Sequence, residues 1–578
     1  MLMRSPSLLR YGIYGVFSVS LLWTASIGFG QLGARAVDSA RLRQAPADEW
    51  LSYGRDQAET HFSPLKQIDA TNVSRLSLAF TSDTESPAGN LEATPIVANG
   101  VVYTSLAWGV LYAADARTGK FKWRWDPEIP RTPEARPSMC CGAVNRGVAI
   151  YNGKIFASLI NGRLVALDAE TGKLVWSEQT TDPSSDMTIT SAVRVVKGKV
   201  IVGTAGAEFA NRGYFSAYDA ETGKIAWRFY TVPGDPSKPF EHPELAEAAK
   251  TWTGEWWKAG GGGTVWDGMA YDADADLLYV GTGNGAPWNR MYRSPGGGDN
   301  LYLCSILAVK PDTGKLVWHF QTTPGESWDY TSVQSLILAD LNIGGSARKV
   351  IMQAPKNGFF YVLDRLTGEF ISAEPYSEVT WATGVDPKTG RPIEAPGVRY
   401  PEGSVVISPG SAGGHNWQPM AFSPVTGLVY IPGSNNSRVY TSTPDFVPQK
   451  GKQVTGVQMN SFAEGISPAG ARITNKGNFL KAWDPIAQKA RWIVPQMGGF
   501  SGVLATAGNL VFAASDGRLT AFSADKGEKL WDGPVAPGAS TPITYSLDGK
   551  QYVGVLAGRG SAQAPSKFYS FALDGTPR

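Results

Sequence analysis

The sequence predicts an all-β protein, an eight-bladed β-propeller with loop and short-helix insertions, and three observations lead to this fold class. A motif of the form Asp-x-x-Thr-Gly-Lys-x-x-Trp recurs along the 578 residues. Turn-forming residues are frequent, with 66 Gly and 38 Pro. The 19 Trp, 22 Tyr and 23 Phe suit strands and packed sheet faces better than a helical bundle. A closed ring of four-stranded blades accommodates a chain of this length.

Each copy of the repeat predicts a strand, a tight turn and a second strand that ends on Trp. The Asp caps the turn through its side chain, and the Gly takes the positive φ that closes it. Seven copies are recognisable, and they start at Ala113, Ala166, Ala217, Ala308, Val362, Ala482 and Ala521. We interpret "MAFSPVTGLVYIP", between the fifth and sixth copies, as a degenerate member that brings the count to eight. The Trp endings predict contacts between neighbouring blades.

The N-terminal residues predict export from the cytoplasm. Arg4 and Arg10 are followed by an uncharged apolar run, and Ala34-Arg35-Ala36 has the small-x-small pattern of a cleavage site. Residues 1–36 are therefore predicted to be a signal peptide. The alternative is a retained membrane anchor, since the run of 20 residues is long enough to span a bilayer. Residues 37–578 are predicted to form the propeller domain in the periplasm, with membrane association only if the segment is retained.

Charge gives no indication of a nucleic-acid partner. Lys and Arg number 53 and Asp and Glu number 51, and no long run of one sign occurs. One of the longer insertions between copies of the repeat is "GDPSKPFEHPELAEAAKTWTGEWWKAGGGGTVWDG". A short helix is predicted within it, in "HPELAEAAKTW". Insertions of this kind are where a propeller places a functional site.

The three cysteines raise a question that the residues alone leave open. Cys304 lies in the apolar run "LYLCSILAVK" and is predicted to be a small buried residue. Cys140 and Cys141 are neighbours, which makes a poor metal site and an awkward disulfide. The sequence contains no C-x-x-C-H motif, so it has no attachment signature for c-type haem.

Six motifs in order resemble those of the pyrroloquinoline quinone (PQQ)-dependent alcohol dehydrogenases: "CCGAVNRG", "GAEFANRGY", "GGGTVWDG", "GTGNGAPWN", "ESWDYTS" and "APKNG". The resemblance runs from "WLSYGRDQAETHFSPLKQID" near Trp50 to "ITYSLDGKQYVGVLAG" near the end. It implies a catalytic propeller with PQQ and Ca²⁺ as cofactors, of the type without a C-terminal haem domain. The implied reaction is the oxidation of primary alcohols to aldehydes.

The resemblance also assigns a role to the adjacent cysteines. It implies that Cys140 and Cys141 form a vicinal disulfide over one face of PQQ, with Trp266 beneath the other face. Stacking a planar quinone on an indole ring is physically reasonable. The glycines that precede Trp266 allow the backbone to approach a neighbour closely. Outside this family, a chance pair of thiols and a structural propeller Trp would be the ordinary interpretations.

Three oxygen-bearing residues match the metal ligands of the family: Glu208, Asn284 and Asp329. Oxygen ligands of mixed charge suit a hard cation such as Ca²⁺. Lanthanide-using members carry a second Asp two residues beyond the catalytic one, and here that position is Thr331. The resemblance therefore implies calcium.

The resemblance further implies that Asp329 is the general base that takes the hydroxyl proton of the alcohol. Lys356 would place a positive charge beside the quinone oxygens, where charge develops. Further implied contacts to PQQ come from Glu92, Arg146, Thr190, Gly206, Ala207 and Asn416. Arg146 is the best suited of these to a PQQ carboxylate, because a guanidinium can pair with it at two points.

Several aspects of function stay as expectations. Since the sequence ends after the last blade, a separate soluble cytochrome c is the expected electron acceptor. Trp256, Trp257 and Phe500 are expected to form an apolar pocket for alcohols larger than methanol. One alternative function is a PQQ-dependent sugar dehydrogenase. Another is a non-catalytic envelope scaffold, which would share the repeat without needing the paired cysteines or Asp329.

Overall fold

Eight antiparallel sheets follow one another around the ring in the computed structural model, which describes residues 36–133, 137–449, 451–458, 475–496 and 498–575. Each sheet has four antiparallel strands, and one of them gains a fifth, parallel strand at its inner edge. The prediction of an eight-bladed propeller is confirmed. We number the blades 1 to 8 in the order of their first strands after residue 95.

The first four blades are consecutive along the chain. Blade 1 consists of Ile96–Ala98, Val101–Ser105, Leu111–Asp115 and Phe121–Trp125. Blade 2 consists of Ala149–Tyr151, Lys154–Ser158, Arg163–Asp168 and Leu174–Gln179. Blade 3 consists of Arg194–Val196, Lys199–Gly203, Tyr214–Asp219 and Ile225–Tyr230. Blade 4 consists of Met269–Asp272, Leu277–Gly281, Ser305–Val309 and Leu316–Gln321.

The other four blades complete the ring. Blade 5 consists of Ile337–Ile343, Ser346–Gln353, Phe359–Asp364 and Phe370–Pro375. Blade 6 consists of Ala421–Ser423, Leu428–Asn436, Asn475–Asp484 and Lys489–Gln496. Blade 7 consists of Leu504–Thr506, Leu510–Ser515, Arg518–Ser523 and Lys529–Pro534, with Phe62–Ser63 added at its inner edge. Blade 8 consists of Ile543–Leu547, Lys550–Ala557, Lys567–Leu573 and Leu76–Asp83.

Short elements lie outside the blade strands. The strand pairs are Gly261–Gly262 with Gly285–Ala286, Ala382–Val385 with Pro392–Glu394, and Ser404–Ile407 with Arg438–Thr441. The α-helices are Ser39–Gln44, Glu244–Ala249 and Arg290–Arg293. The 3₁₀ turns are Val73–Arg75, Ala107–Gly109, Ala207–Phe209 and Trp256–Ala259. The helix predicted in the long insertion is the one at Glu244–Ala249.

Blade 8 joins the two ends of the described chain. Leu76–Asp83 pairs antiparallel with Lys567–Leu573 and supplies the outermost strand, which closes the ring. This arrangement corrects the sequence-based assignment of the blades. "MAFSPVTGLVYIP" does not form a blade of its own, because its two strands belong to blade 6 together with the copy at Ala482. The eighth blade is the closing one, which carries no copy of the repeat.

The Trp residues of the repeat join neighbouring blades, as predicted. Trp123 of blade 1 donates its Nε1 hydrogen to Ala169 O in the repeat turn of blade 2, at 3.0 Å. A Cβ on Gly172, in that same turn, would lie 2.6 Å from the Trp123 ring. The pattern repeats at Trp318, which donates to Arg365 O at 3.3 Å beside Gly368. The repeat glycine is therefore needed twice, for its positive φ and for the close approach of the indole.

The direction of the strands decides where a site can form. Within a blade, the loop after the second strand and the loop after the fourth strand emerge on the same face of the ring, because adjacent strands are antiparallel. The repeat turns, which join the third and fourth strands, emerge on the opposite face. Insertions after second and fourth strands therefore converge on one face around the propeller axis.

The export prediction concerns residues outside the described ranges, apart from Ala36. Residues 1–35 are not among those that the structure describes, so the signal peptide and its anchor alternative stay predictions. Among the described residues, no helix is long and apolar enough to cross a membrane.

Candidate active site

A cavity of about 390 Å³ opens on the face where the insertions converge. Twelve of the thirteen residues predicted for the site line it: Glu92, Cys140, Cys141, Arg146, Thr190, Gly206, Glu208, Trp266, Asn284, Asp329, Lys356 and Asn416. The thirteenth, Ala207, is buried between two lining residues and does not itself face the cavity. Residues from widely separated parts of the sequence thus meet at one place.

The adjacent cysteines are joined to each other in the structure. Cys140 and Cys141 form a vicinal disulfide, in the loop between blades 1 and 2. Both residues are exposed and both line the cavity. Cys304 is the free cysteine among the described residues, and it is buried as predicted.

Trp266 lies in the loop before blade 4 and is half-buried, with its ring at the cavity wall. The glycines before it pack against the segment that carries Asn284. Gly263 N donates to Asn284 O at 2.8 Å, and a Cβ on Gly262 would lie 2.4 Å from that same oxygen. A side chain at residue 262 would therefore force the two segments apart, which explains the glycine run.

Arg146 is buried against the floor of the cavity, in a cluster of opposite charges. Its Nη2 lies 2.9 Å from Glu92 Oε2, and its Nε lies 4.0 Å from Asp267 Oδ2. Its Nη1 donates to Thr190 Oγ1 at 2.8 Å, and the guanidinium carbon lies 4.7 Å from the centre of the Trp266 ring. Burial raises the pKa of Glu92 and of Asp267, although Arg146 favours the charged form of each. These contacts fix the direction in which Arg146 points.

Asp329 and Lys356 form a buried ion pair in the cavity. Lys356 Nζ lies 3.0 Å from Asp329 Oδ2 and donates a second hydrogen bond to Asp329 O at 3.2 Å. Burial raises the pKa of Asp329 to about 7, Lys356 opposes the rise, and the nearby Glu208 carboxylate adds to it. Asp329 also has a φ of +62°, a conformation that costs a residue with a side chain about 1–3 kcal/mol. Strain and a shifted pKa at one residue are typical of a catalytic position.

Glu208 and Asn284 follow the second strands of blades 3 and 4, so they emerge on the same face. Glu208 lies on the 3₁₀ turn Ala207–Phe209, after Gly206 with a φ of +88°. Asn284 is buried and donates from Nδ2 to Gly285 O at 3.1 Å. Both line the cavity with Asp329, which gathers two carboxylates and an amide oxygen at one place.

The aromatic residues expected to form the substrate pocket lie elsewhere, and that expectation was wrong. Trp256 is buried against Trp252 and donates to Pro233 O at 2.8 Å, and Trp257 packs edge-on against Trp256. Phe500 lines a neighbouring hollow of about 190 Å³. Trp256 and Trp257 are thus held by contacts within their own loop, whereas Phe500 packs edge-on against Phe522 of blade 7. Sequence could not show these contacts. Besides Trp266, the apolar residues that line the cavity are Met139, Val144, Ile160, Ala205, Trp288 and Trp417.

Sequence reasoning also missed two buried charged residues behind the cavity wall. Glu326 and Arg293 have no exposed side-chain surface and lie within 3.8 Å of each other. Glu326 stands in "ESWDYTS", a motif that was recognised without a role for its Glu. A carboxylate placed three residues before the expected base was the signal available in the sequence.

Comparison with known proteins agrees with this geometry. The family model described as "PQQ: Glucose/ethanol/alcohol dehydrogenase, beta-propeller domain" matches residues 50–380 and 467–553. Quinohemoprotein alcohol dehydrogenase ADH IIB of Pseudomonas putida is 55% identical over 563 residues, which are 94% of this chain and 80% of that protein. The chain belongs to the PQQ-dependent alcohol dehydrogenase family.

Solved structures of this family share the fold. The structure of quinohemoprotein alcohol dehydrogenase from Comamonas testosteroni is 47% identical, with a TM-score of 0.88 over 94% of this chain and 83% of that one. A europium-containing methanol dehydrogenase is 34% identical, with a TM-score of 0.83 over 92% of this chain and 99% of that one. For a member of the PQQ-dependent alcohol dehydrogenases, the cavity at the axis is thus the expected place of the active site.

Proposed function

We propose that this protein oxidises primary alcohols to aldehydes with bound PQQ and Ca²⁺ and passes the electrons to a separate cytochrome c. The observation that carries the proposal is the Asp329–Lys356 pair in a cavity bordered by the vicinal disulfide and by Trp266. A buried carboxylate can accept the proton of an alcohol, and a fixed cation 3.0 Å from it can stabilise negative charge that develops nearby. The family membership supports the same reaction.

The cations and hydroxyl groups around the cavity fit the carboxylates of PQQ, which is a planar tricarboxylate. Arg146 and Lys356 are cations that line it, and Thr188 and Thr190 supply hydroxyl groups. The Trp266 ring and the Cys140–Cys141 disulfide provide flat apolar surfaces for a planar ligand. When bound, PQQ supplies the electron acceptor that takes the hydride from the alcohol carbon.

The donor set around Glu208 fits a hard divalent cation. Glu208 and Asp329 bring two carboxylates close enough for one to raise the pKa of the other, and Asn284 lies beside them. A cation held by these oxygens would relieve the repulsion between the carboxylates. Thr331 is buried and hydrogen-bonds to Gln334, so this position adds no further negative charge. We therefore propose calcium in preference to a trivalent lanthanide.

The residues of the chain supply the proton chemistry. Asp329, with a pKa raised to about 7, can accept the hydroxyl proton of an alcohol near neutral pH. Lys356 keeps that carboxylate oriented and places a positive charge where negative charge develops. Both side chains are buried, which strengthens both interactions.

The apolar lining supports alcohols larger than methanol. Met139, Ile160, Trp288 and Trp417 provide surface that an alkyl or aryl group can cover. A relative from Thauera butanivorans, 43% identical over 92% of this chain and 79% of that protein, is named 1-butanol dehydrogenase (cytochrome c). A higher kcat/KM for 1-butanol or benzyl alcohol than for methanol is the expected result. A preference for methanol would contradict this part of the proposal.

A dye-linked assay tests the proposed reaction. The purified propeller is incubated with PQQ and Ca²⁺ and supplied with primary alcohols, glucose and a phenazine acceptor. Alcohol-dependent dye reduction that is lost without PQQ and in Asp329→Asn is expected. Activity with glucose but not with alcohols would favour the sugar dehydrogenase alternative, and a failure to bind PQQ would leave only the scaffold alternative.

Two accompanying proposals concern the place and the partner of the reaction. The basic and apolar N-terminal segment supports export to the periplasm, which fractionation of cells that express the full chain would test. Reduction of purified cytochrome c in place of the dye would test the acceptor.

A further inference from the structure

Glu326 is a buried carboxylate whose oxygens accept hydrogen bonds from two different loops. Its Oε1 accepts from Gly285 N at 2.6 Å. Its Oε2 accepts from Trp328 N at 3.0 Å and from Tyr330 N at 3.3 Å. The first contact is to the residue that follows Asn284, and the other two are to the residues on either side of Asp329.

Arg293 completes the connection between these two loops. It is fully buried and donates to Trp288 O at 3.0 Å, and it also donates to Pro287 O. Its Nη2 donates to Glu326 O at 2.6 Å, while its Nη1 lies 3.8 Å from Glu326 Oε1. A Cβ on Gly285 would lie 2.1 Å from the guanidinium, so the glycine makes room for this side chain.

The backbone at Asp329 needs such support. Its left-handed φ of +62° is a strained conformation for Asp, and it persists only where the surroundings hold it. The amides before and after this residue both point at one carboxylate oxygen, which fixes the turn. The same carboxylate fixes Gly285 and, through the chain, the preceding Asn284. None of the atoms of Glu326 lines the cavity.

We propose that Glu326, held by Arg293, is a positioning residue that sets Asn284 and Asp329 at the separation and orientation required for binding the cation. The inference rests on the proposed function, since it assigns a purpose to the two residues as ligands. Glu326 touches neither substrate nor cofactor, so it acts through the two loops. It stands behind the proposed ligands, as a buried carboxylate whose partners are main-chain amides and Arg293.

The test compares Glu326→Gln with a matched control, Asp272→Asn. Glutamine has the shape of the native side chain but must turn one NH₂ group toward a backbone N–H and loses the attraction of Arg293. Asp272 is likewise buried, accepts from Asp274 N and Ala275 N at 2.9 and 3.1 Å, and pairs with Arg365 at 2.6 Å. It does not line the cavity, so its loss should reduce stability without changing the ligand geometry.

The readout is the binding of Ca²⁺ at fixed PQQ concentration, followed by quenching of tryptophan fluorescence in the purified chain, beside thermal unfolding without either ligand. We expect Glu326→Gln to weaken apparent Ca²⁺ affinity about 10- to 100-fold, as is typical when a residue that orients metal ligands is lost. Glu326→Asp keeps the charge with a shorter reach and should lose less. Asp272→Asn should lower the melting temperature while leaving Ca²⁺ affinity within about twofold of wild type.

Two outcomes would overturn the inference. The first is wild-type Ca²⁺ affinity in Glu326→Gln. The second is an equal loss of Ca²⁺ affinity in Asp272→Asn, which would mean that the loss follows from lower stability of the fold and not from the position of the ligands. If wild-type protein binds neither PQQ nor Ca²⁺, it is the proposed function that fails. If Glu326→Gln does not fold, hydrogen exchange of the wild-type apoprotein tests the inference instead. The amides of Gly285, Trp328 and Tyr330 should all be protected from exchange, and fast exchange of any of them would refute the proposed hydrogen bonds to Glu326.

Discussion

Replacing Lys356 by glutamine should move the titration of Asp329 to higher pH. Charges 3.0 Å apart attract each other by about 5 kcal/mol at an effective dielectric constant of 20, which is an upper bound on the effect. Hydrogen bonds from the amide of the introduced glutamine and from rearranged water replace part of the lost attraction. A close opposite charge typically shifts a carboxyl pKa by about 1–3 units, or roughly 1.4–4 kcal/mol.

The sign follows from which form the pair favours. Lys356 favours the ionised carboxylate, so its removal raises the pKa of Asp329 further above its present value of about 7. In the apoprotein at pH 7, the ionised fraction of Asp329 then falls from about one half to about a tenth or less. Because the proposed base is the ionised form, the acidic limb of the kcat/KM profile of the reconstituted enzyme should move to higher pH.

The assay that isolates the effect is infrared titration of the protonated carboxyl in the apoprotein, with Asp329→Asn subtracted to identify the band. Lys250→Gln is the matched control, since that lysine forms an exposed ion pair with Glu247 on a surface helix. The control should leave the band where it is. An Asp329 band that titrates at the same pH in Lys356→Gln and wild type would refute the reasoning, because it would mean that the 3.0 Å contact does not couple the two charges.

Three further predictions concern the disulfide, the blade contacts and a buried lysine. Cys141→Ser should weaken PQQ binding in a fluorescence titration while leaving the melting temperature nearly unchanged, because a bridge between adjacent residues closes almost no loop; a large loss of stability would contradict this. Gly172→Ala should lower the melting temperature more than Gly427→Ala. Both glycines have a positive φ, but only at Gly172 would the new Cβ lie 2.6 Å from the Trp123 ring. An equal decrease in melting temperature in the two variants would refute the role of the indole contact. Burial lowers the pKa of Lys481 from 10.5 to about 8. This shift lowers the free energy of unfolding by roughly 3 kcal/mol below pH 8, and the loss disappears as the pH rises to 10.5, the pKa of lysine in the unfolded chain. Lys481→Met removes this cost but also loses the hydrogen bond to Tyr376 O, so the free energy of unfolding, measured with denaturant, should rise by about 2 kcal/mol at pH 7 and little at pH 10.5. An increase that does not depend on pH would exclude burial of the charge as its cause.

The parts of the site that sequence could predict are those with a local signature. The disulfide pair, Trp266 after its glycines and Asp329 in its motif each stand in a short recognisable stretch, and all of them line the cavity. Glu326 stands in one of those stretches too, and Trp328 and Tyr330 are close to it in sequence, but Gly285 and Arg293, its partners in the other loop, are 41 and 33 residues away. No local pattern shows which backbone amides a buried carboxylate will meet.

The fold divides in the same way between what the sequence determined and what the tertiary structure decided. Repeat turns depend on an Asp cap and a Gly with positive φ within five residues, so the sequence by itself determined a ring of blades and located seven of them. Only the tertiary structure decided that Leu76–Asp83 pairs with Lys567–Leu573 to close the ring, because that pairing joins distant segments with no repeat motif. It also decided that Trp256 and Phe500 pack away from the cavity while Trp288 and Trp417 line it. An aromatic side chain gains similar free energy by burial in any well-packed place, so its residue type does not specify where in the molecule it is buried.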